Sequence, residues 1–368
     1  MTAMPASAFR PHRRLVSPPT LRLLTRSEAD EPPPVRLNPS RRRSALMPLL
    51  PVAYRGSYLR RLLAPRRPVE RALLSVIQET YLSGASTRTV DVLAETVGVP
   101  GTDPALVAAQ AQEWDERVEA FRRRPLMDPS PYLMLAVTPA LVREQREALA
   151  VHLAIAVAIS ESGSREVIGF EVATAERMAS FWVPFFRDLR DRGLQGLQLV
   201  TSDQSDGLTP ALAEVFPGVG WQQSREHFLA QALRLVPRPA RPAVEASLRA
   251  VFAEPDLASA LLSLAGVRAR FESAYPELAP ALQGPVDALV AHYQVPPAHR
   301  RLVCSLNALA SLQRELRQSC QLVGIFPHRR ALFRLTGTIL QEVSEEWAAR
   351  PRMLGRRNRS TAMWAAAA

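Results

Sequence analysis

The 368-residue sequence predicts an α/β protein with a mixed sheet, preceded by an all-α region. Two observations support this class. The apolar periodicity changes from helical to strand-like after Arg124 and Pro125, and strands, a hairpin and a helix then alternate before the chain turns helical again over 226–349. With 47% apolar and 22% charged residues, the composition is that of a globular protein, which excludes disorder throughout the chain.

The amino-terminal third divides into two zones. Residues 1–52 are rich in proline and arginine and have no helical or strand period, which predicts a basic, disordered segment. Residues 53–124 have apolar residues at helical spacing over 69–82, 87–97 and 106–121, separated by glycine-containing breaks. Three short helices with tight turns predict a DNA-binding helix-turn-helix region, although a small structural helix bundle has the same pattern.

The middle of the chain predicts the sheet and its first covering helix. Apolar runs predict strands at 132–138, 152–160, 166–172 and 197–200. A helix over 175–192 carries an aromatic stripe, 181–186, that we interpret as core. Asp203 follows the last of these strands, a position typical of ligand-binding and catalytic groups in α/β sheets. Its position alone favours a second reading, in which it caps a helix over 206–215.

The charge is distributed unevenly along the chain. All 46 basic residues are arginine, against 35 acidic residues. Residues 1–71 hold 15 arginines and 4 acidic residues, and residues 350–368 form a basic tail with 5 arginines and no acidic residue. Residues 72–349 hold 26 arginines and 31 acidic residues. Such basic arms bind nucleic acid by releasing counterions from phosphates. Biased codon usage is an alternative explanation for the arginines, and in that case the charged run is a solvated tail.

The cysteine count, the length of the apolar runs and the motif content exclude several classes of protein. The two cysteines, Cys304 and Cys320, cannot form a disulfide framework, which favours an intracellular, cytoplasmic protein. The longest apolar run, 148–159, is shorter than the about 20 residues of a membrane span, so no membrane is predicted as a partner. His227 has no second metal-type ligand nearby, and the usual nucleotide-binding and nucleophile motifs do not occur.

Eight short motifs take the interpretation further. They lie at 81–88, 121–126, 165–170, 181–182, 187–194, 202–203, 221–228 and 323–327. In order and spacing they resemble the Mutator-type transposases of bacterial insertion sequences, over about four-fifths of the chain.

The resemblance implies an RNase H-like core over 125–349 with a helical insertion at about 226–300. It also implies DNA transposition by a homo-oligomer acting on the terminal inverted repeats of an insertion sequence, a transposable element. In such enzymes two aspartates and a glutamate hold two Mg²⁺ ions, which activate the attacking oxygen and stabilise the leaving oxygen of a phosphodiester. Several converging anionic oxygens are needed, because two divalent cations a few ångströms apart repel strongly.

The implied metal site is incomplete in this sequence. Asp203 matches the second aspartate, but Ala136 and Ala310 occupy the other two acid positions. Glu144 is too far along the strand from Ala136 to replace the missing group, and Glu315 lies about 140° around the helix from Ala310. We therefore expect that Mg²⁺ binding at Asp203 is weak or absent and that the chain is an inactive transposase homologue.

The resemblance also implies DNA contacts, and some of them have changed. The matching DNA-binding positions are Arg88, Arg225, His227, Arg314 and Arg317. A family cysteine is replaced by Ser224, a family Arg-Asn pair by residues 230–231, and the basic recognition-helix residues by 103–105 and Ala109. These changes favour two alternatives: a non-catalytic DNA-binding protein that poisons oligomers of an active relative, or a decayed reading frame.

Overall fold

The computed structural model describes residues 67–84, 86–161, 163–283 and 286–349; the predicted basic segments at 1–52 and 350–368 lie outside these ranges. The helices and strands of the described part are α1 (Pro68–Leu82), α2 (Arg88–Val97), α3 (Pro104–Arg123), β1 (Tyr132–Glu144), β2 (Glu147–Ile159), β3 (Arg165–Thr174), α4 (Met178–Asp191), β4 (Leu199–Ser202), α5 (Leu208–Val215), β5 (Gly220–Gln223), α6 (Arg225–Arg234), α7 (Arg241–Val251), α8 (Leu257–Phe271), α9 (Leu278–Gln283), α10 (Val286–Val290), α11 (Pro297–Val303), α12 (Ala310–Val323), β6 (Ile325–Phe326) and α13 (Arg329–Ala349). The predicted α/β class with a mixed sheet is confirmed.

The three predicted amino-terminal helices are present as α1 to α3. Local residues set their ends: the Thr87 side chain accepts a hydrogen bond from the Val90 N–H at the start of α2, and Gly98 ends α2 in the left-handed conformation at φ 79°. Asp103 caps α3 by accepting from the Ala105 N–H, and Pro104 occupies the first turn, where no intrahelical donor is needed. Capping signals in the sequence therefore account for these boundaries.

The sheet has the strand order β3-β2-β1-β4-β5, and β6 pairs with the far end of β1. β1, β2 and β3 are antiparallel neighbours, whereas β4 runs parallel to both β1 and β5. The strand predicted over 132–138 is too short, because cross-strand pairing with β2 carries β1 through Pro139 to Glu144. β5 and β6 were not predicted from the sequence; each is only two to four residues long and is stabilised by its neighbours.

Side chains of β1 alternate between two apolar layers. Met134 and Ala136 face a core cluster that contains residues of α1, α2, α12 and α13, whereas Leu133 and Leu135 face a second cluster built from α4 and α5. The aromatic stripe of α4 is core, as predicted, and Trp182 is fully buried. The sheet is thus covered by helices on both faces.

The helices predicted for about 226–300 are observed, and they form a third apolar cluster of their own. It includes Phe228 of α6, Leu248 of α7, Phe271 of α8 and Leu289 of α10. The segment remains tied to the sheet, because the Gln222 side chain of β5 donates to the Leu289 carbonyl at 3.2 Å. No helix in the part of the chain that the structure describes is long and apolar enough to cross a membrane.

A buried arginine joins the amino-terminal helices to the end of the chain. The Arg334 side chain of α13 is 1% exposed and forms ion pairs with Glu79 of α1 at 2.7 Å and Asp115 of α3 at 2.9 Å. Burial opposes ionisation of Glu79, but a hydrogen bond from His328 and the charge of Arg334 outweigh it and lower the Glu79 pKa to about 2. The helices α1 and α3 are therefore fixed to the core by charge as well as by apolar packing.

Candidate active-site cleft

Asp203 lies directly after β4, at the carboxyl edge of the parallel strands. The four residues of β4 are buried, and two of their hydroxyl groups are held: Thr201 Oγ1 donates to the Val303 carbonyl at 2.5 Å, and Ser202 Oγ accepts from Trp221 Nε1 at 2.8 Å. Asp203 itself is half-exposed. Asp203 therefore lies at the surface, at the end of a strand whose residues are buried.

Asp203 does not cap the following helix, so the reading favoured by its position alone is wrong. Helix α5 begins at Leu208, its N-cap residue is Gly207 at φ 75°, and no side chain caps it. A Cβ atom at Gly207 would lie 2.1 Å from the Ala179 carbonyl oxygen of α4. The turn that enters α5 thus requires glycine next to α4, and this turn leaves the Asp203 carboxylate outside the helix start.

Ala136 and Asp203 each follow the last residue pair of the parallel ladder. The parallel ladder of β1 and β4 ends at the pair Leu135 and Ser202, so Ala136 and Asp203 are the next residues in register. Ala136 is 1% exposed, and its side chain belongs to the apolar cluster that also contains Leu309. A methyl group therefore stands where a second carboxylate would be next to Asp203.

Ala310 and Asp203 line one cleft of about 240 Å³. Ala310 is the first residue of α12, directly after a short 3₁₀ turn, Asn307–Leu309. The cleft thus brings together Asp203 and Ala310, two of the three positions at which the resemblance implies acids, whereas Ala136 does not line it.

His227 lies close to Asp203. It lies in the first turn of α6, lines the same cleft, and places Nδ1 3.7 Å from Asp203 Oδ2. Its Nε2 atom is buried and has no hydrogen-bond partner among the described residues. His227 therefore belongs to the cleft, which its isolated place in the sequence did not indicate.

Glu226 is a cleft residue that the sequence interpretation missed. One of its carboxylate oxygens accepts from Asn307 Nδ2 at 2.8 Å, and the other accepts from Ser224 Oγ at 3.4 Å. The signal available in the sequence was its place next to His227, but an acidic residue in a first helical turn is also a common helix stabiliser. Its hydrogen bonds tie α6 to the turn that leads into α12.

The acidic groups of the described residues do not form a metal centre. No cluster of three or more histidine, cysteine, aspartate or glutamate side chains in the described ranges is arranged to hold a metal ion. Glu144 forms an ion pair with Arg329, and Glu315 lies beside Arg67, where burial and two neighbouring glutamates raise its pKa. Neither Glu144 nor Glu315 lines the cleft.

Arg225 is held in a fixed orientation by a chain of hydrogen bonds from the sheet. Its Nη2 atom lies 2.8 Å from His292 Nε2, and His292 Nδ1 lies 2.9 Å from Gln222 Oε1. Burial and the charges of Arg225 and Arg300 lower the His292 pKa to about 3, so the ring is neutral at pH 7. Its Nδ1–H therefore donates to Gln222, and its Nε2 accepts from Arg225.

Comparison with known proteins identifies the family. The model of the transposases of the Mutator family matches residues 43–350. The chain belongs to the Mutator family of transposases. It is 39% identical to the transposase for insertion sequence element IS1081 of Mycobacterium tuberculosis over 310 residues, which cover 83% of this chain and 74% of that protein.

Two further Mutator-family relatives match most of the chain. The transposase for IS406 of Burkholderia multivorans is 34% identical over 281 residues, 76% of this chain and 72% of the relative. The transposase for IS256 in transposon Tn4001 of Staphylococcus aureus is 29% identical over 281 residues, with the same coverage of 76% and 72%. The resemblance inferred from the eight motifs is thus confirmed at the level of the family.

The residues expected from the resemblance to bind DNA lie in four places in the structure. Arg225 lines a second cavity, next to the cleft, and His227 lies in the cleft itself. Arg314 and Arg317 are exposed on α12, within about 40° of Ala310 around the helix. Arg88 is exposed at the start of α2 and lines neither cavity.

Helix α3 carries exposed charges of both signs. Its exposed charged side chains are three glutamates, Glu113, Glu116 and Glu119, and two arginines, Arg117 and Arg123. Arg122 and Arg123 near its carboxyl end both form ion pairs with Glu119. The helix therefore has no surplus of positive charge to attract phosphates.

Proposed function

We propose that this chain is an insertion-sequence transposase homologue with an RNase H-like core that binds DNA but cannot cut or join it. The observation that carries the proposal is that Ala310 lines the cleft of Asp203, and that Ala136 follows the end of the parallel ladder on β1 as Asp203 does on β4. The three antiparallel strands continued by two parallel ones, with helices on both faces, support the RNase H-like assignment.

The residues present do not fit a pair of Mg²⁺ ions. Mg²⁺ prefers oxygen ligands in octahedral geometry, and two such ions need several shared carboxylates to offset their repulsion. The cleft offers Asp203, which lies close to His227, and Glu226, whose two oxygens already accept hydrogen bonds. We therefore assign no catalytic step to a metal in this chain.

The test is a strand-transfer assay with Mg²⁺ on DNA that carries the terminal inverted repeats flanking the gene. A family member that retains all three acids serves as the positive control. We expect the wild-type chain to form product at least about 10²-fold more slowly than that relative, because losing one member of a preorganised site already costs this much. Product formation at the rate of the control would refute the proposal.

A second candidate function is regulation of an active relative by forming mixed oligomers with it. It is favoured by the complete apolar cores on both faces of the sheet and by the fully paired Arg334, because these indicate a chain that folds in spite of its altered cleft. The measurement is strand transfer by the active relative at increasing ratios of this chain. Inhibition that exceeds simple competition for DNA supports mixed oligomers, and unchanged activity excludes them.

A further inference from the structure

We propose that a cavity among the helices that follow β5 binds the sugar–phosphate backbone of a DNA strand and directs that strand to Asp203. The inference rests on the proposed function, since it takes DNA as the ligand. The cavity measures about 670 Å³ and lies among α6, α7, α11 and the 3₁₀ turn Ala291–Gln294. We call it the arginine cleft, after four of the residues that line it: Arg225, Arg249, Arg300 and Arg301.

The arginine cleft concentrates positive charge in a region that is acidic overall. Residues 72–349 carry more acids than arginines, yet the cleft is lined by four arginines against two carboxylates, Glu226 and Glu254. Arg249 is paired with Glu245 at 2.7 Å, so the surplus positive charge comes from the other three arginines. The carboxylate of Glu226 accepts hydrogen bonds from Asn307 and Ser224. The surplus positive charge is the electrostatic requirement for binding a phosphodiester chain.

Two of the arginines are held in place without a carboxylate partner. Arg300 donates to three backbone carbonyls, those of Pro255 at 2.8 Å, Val295 at 3.2 Å and Tyr293 at 3.3 Å. Arg225 is held by the neutral His292, and that hydrogen bond uses one of the five N–H donors of its guanidinium. Their charges are therefore fixed in position and not cancelled by an acid, as a preorganised phosphate site requires.

Aromatic side chains complete the lining of the arginine cleft. Phe252 and Tyr293 line the cavity, and the guanidinium groups of Arg225 and Arg300 lie 5.1 Å from the respective ring centroids. Basic grooves interleaved with aromatic rings and arginine planes are the usual surface for a nucleic-acid strand, because phosphates bind the charge and bases stack on the flat groups. The chemistry of the lining thus favours DNA over a simple anion.

The arginine cleft adjoins the cleft of Asp203. Glu226 and Asn307 line both cavities, and their side chains are hydrogen-bonded to each other at the boundary at 2.8 Å. A strand held by the arginines therefore crosses this hydrogen-bonded pair before it reaches Asp203. In this arrangement α6 contributes residues to both cavities, so it is the element that connects DNA binding to the cleft of Asp203.

The experiment measures binding of the full chain to a fluorescein-labelled 30-nucleotide DNA, single-stranded or duplex, by anisotropy at several salt concentrations. The variant Arg249→Gln/Arg301→Gln removes two charges of the cleft. The matched control is Arg187→Gln/Arg190→Gln, which removes two exposed arginines of α4, each paired with an acid. We expect the cleft variant to bind about tenfold more weakly, and its slope of log K against log salt to fall by about 1.8 for the duplex and about 1.4 for the single strand, whereas the control changes neither quantity.

Three outcomes separate this inference from the proposed function. If the wild-type chain does not bind the DNA, both the proposed function and this inference are refuted. Binding that is equal in the cleft variant and the control defeats only the arginine cleft. Cross-linking of 5-bromodeoxyuridine DNA to the wild-type chain is independent of how the variants fold: adducts on Phe252 or Tyr293 support the site, and adducts confined to other segments overturn it.

Discussion

Ala136 and Asp203 each lie one residue past the Leu135 and Ser202 pair that ends the parallel ladder. Neighbouring strands are about 4.8 Å apart, so a carboxylate at position 136 would stand within reach of any cation bound at Asp203. Ala310 lines the same cleft as Asp203 from the other side. This arrangement makes the missing metal site testable by restoring its acids.

The first prediction concerns metal binding by Ala136→Asp/Ala310→Glu. In the absence of metal this variant melts at a lower temperature than wild type, because it places carboxylates at the buried position 136 and beside Asp203. Added Mg²⁺ raises its melting temperature, because binding stabilises the folded state. At a concentration 100 times the dissociation constant, the stabilisation is about 2.7 kcal/mol. Differential scanning calorimetry with and without Mg²⁺ is the measurement.

Two controls accompany the metal-binding variant. Wild type shows no such rise, and adding Asp203→Asn to the double variant removes it. A triple variant that still responds to Mg²⁺ would show that the cation binds elsewhere.

The second prediction concerns the buried ion pairs of Arg334. Replacing it in Arg334→Met leaves Glu79 and Asp115 without their buried partner, which costs about 3–5 kcal/mol of unfolding free energy. The matched control is Arg330→Met, because Arg330 also pairs with Asp115 but its side chain is 71% exposed; we expect a loss of about 0–1 kcal/mol. Urea unfolding measures both. Equal losses in the two variants would contradict the importance of burial.

The third prediction is a pH dependence caused by His292. Its pKa is about 3 in the folded chain against an ordinary 6.5, so protonation favours the unfolded chain. The stabilisation is complete above pH 6.5 and is lost as the pH falls towards 3, at about 1.4 kcal/mol per pH unit. Between pH 6.5 and 4.5 the loss is about 2–3 kcal/mol. Below pH 4.5 protonation of Glu79 adds to the loss, since its pKa is about 2.

Urea unfolding at several pH values checks the role of His292. The variant His292→Asn retains a hydrogen-bond donor near Gln222 but does not titrate. We expect this variant to be less stable than wild type at pH 7.5. Its unfolding free energy should change less with pH between pH 6.5 and 4.5 than that of wild type. Parallel curves for the two proteins would assign the titration to another group.

The fourth prediction concerns the turn between Asp203 and α5. In Gly207→Ala the new methyl would meet the Ala179 carbonyl in a backbone conformation with φ 75°, and we expect a loss of about 3 kcal/mol or more. The control is Gly218→Ala, which has φ 84° but no atom within 4 Å of the new methyl. It should lose only about 1–2 kcal/mol, the cost of the left-handed conformation. Similar losses would show that the contact with Ala179 is relieved by a small shift.

The helices and longer strands were predictable because their signals are local. Thr87, Gly98 and Asp103 mark helix ends by hydrogen bonds and backbone conformations within a few residues, and the aromatic residues of α4 repeat at helical spacing. The short strands β5 and β6 were missed because they have too few residues for a period, and pairing with β4 and β1 decides them. The continuation of β1 through Pro139 likewise depends on its partner β2.

The sequence by itself determined the family, and its ordered motifs predicted that Ala136, Asp203 and Ala310 occupy the family's three acid positions. Only the tertiary structure decided that Ala136 and Asp203 each follow the end of the parallel ladder, that Glu226 and His227 share the cleft of Asp203 and Ala310, and that four arginines of the insertion and its flanks line one cavity. The physical reason is that periodicity and capping act over a few residues, whereas the meeting of groups far apart in the chain depends on how sheets and helices pack.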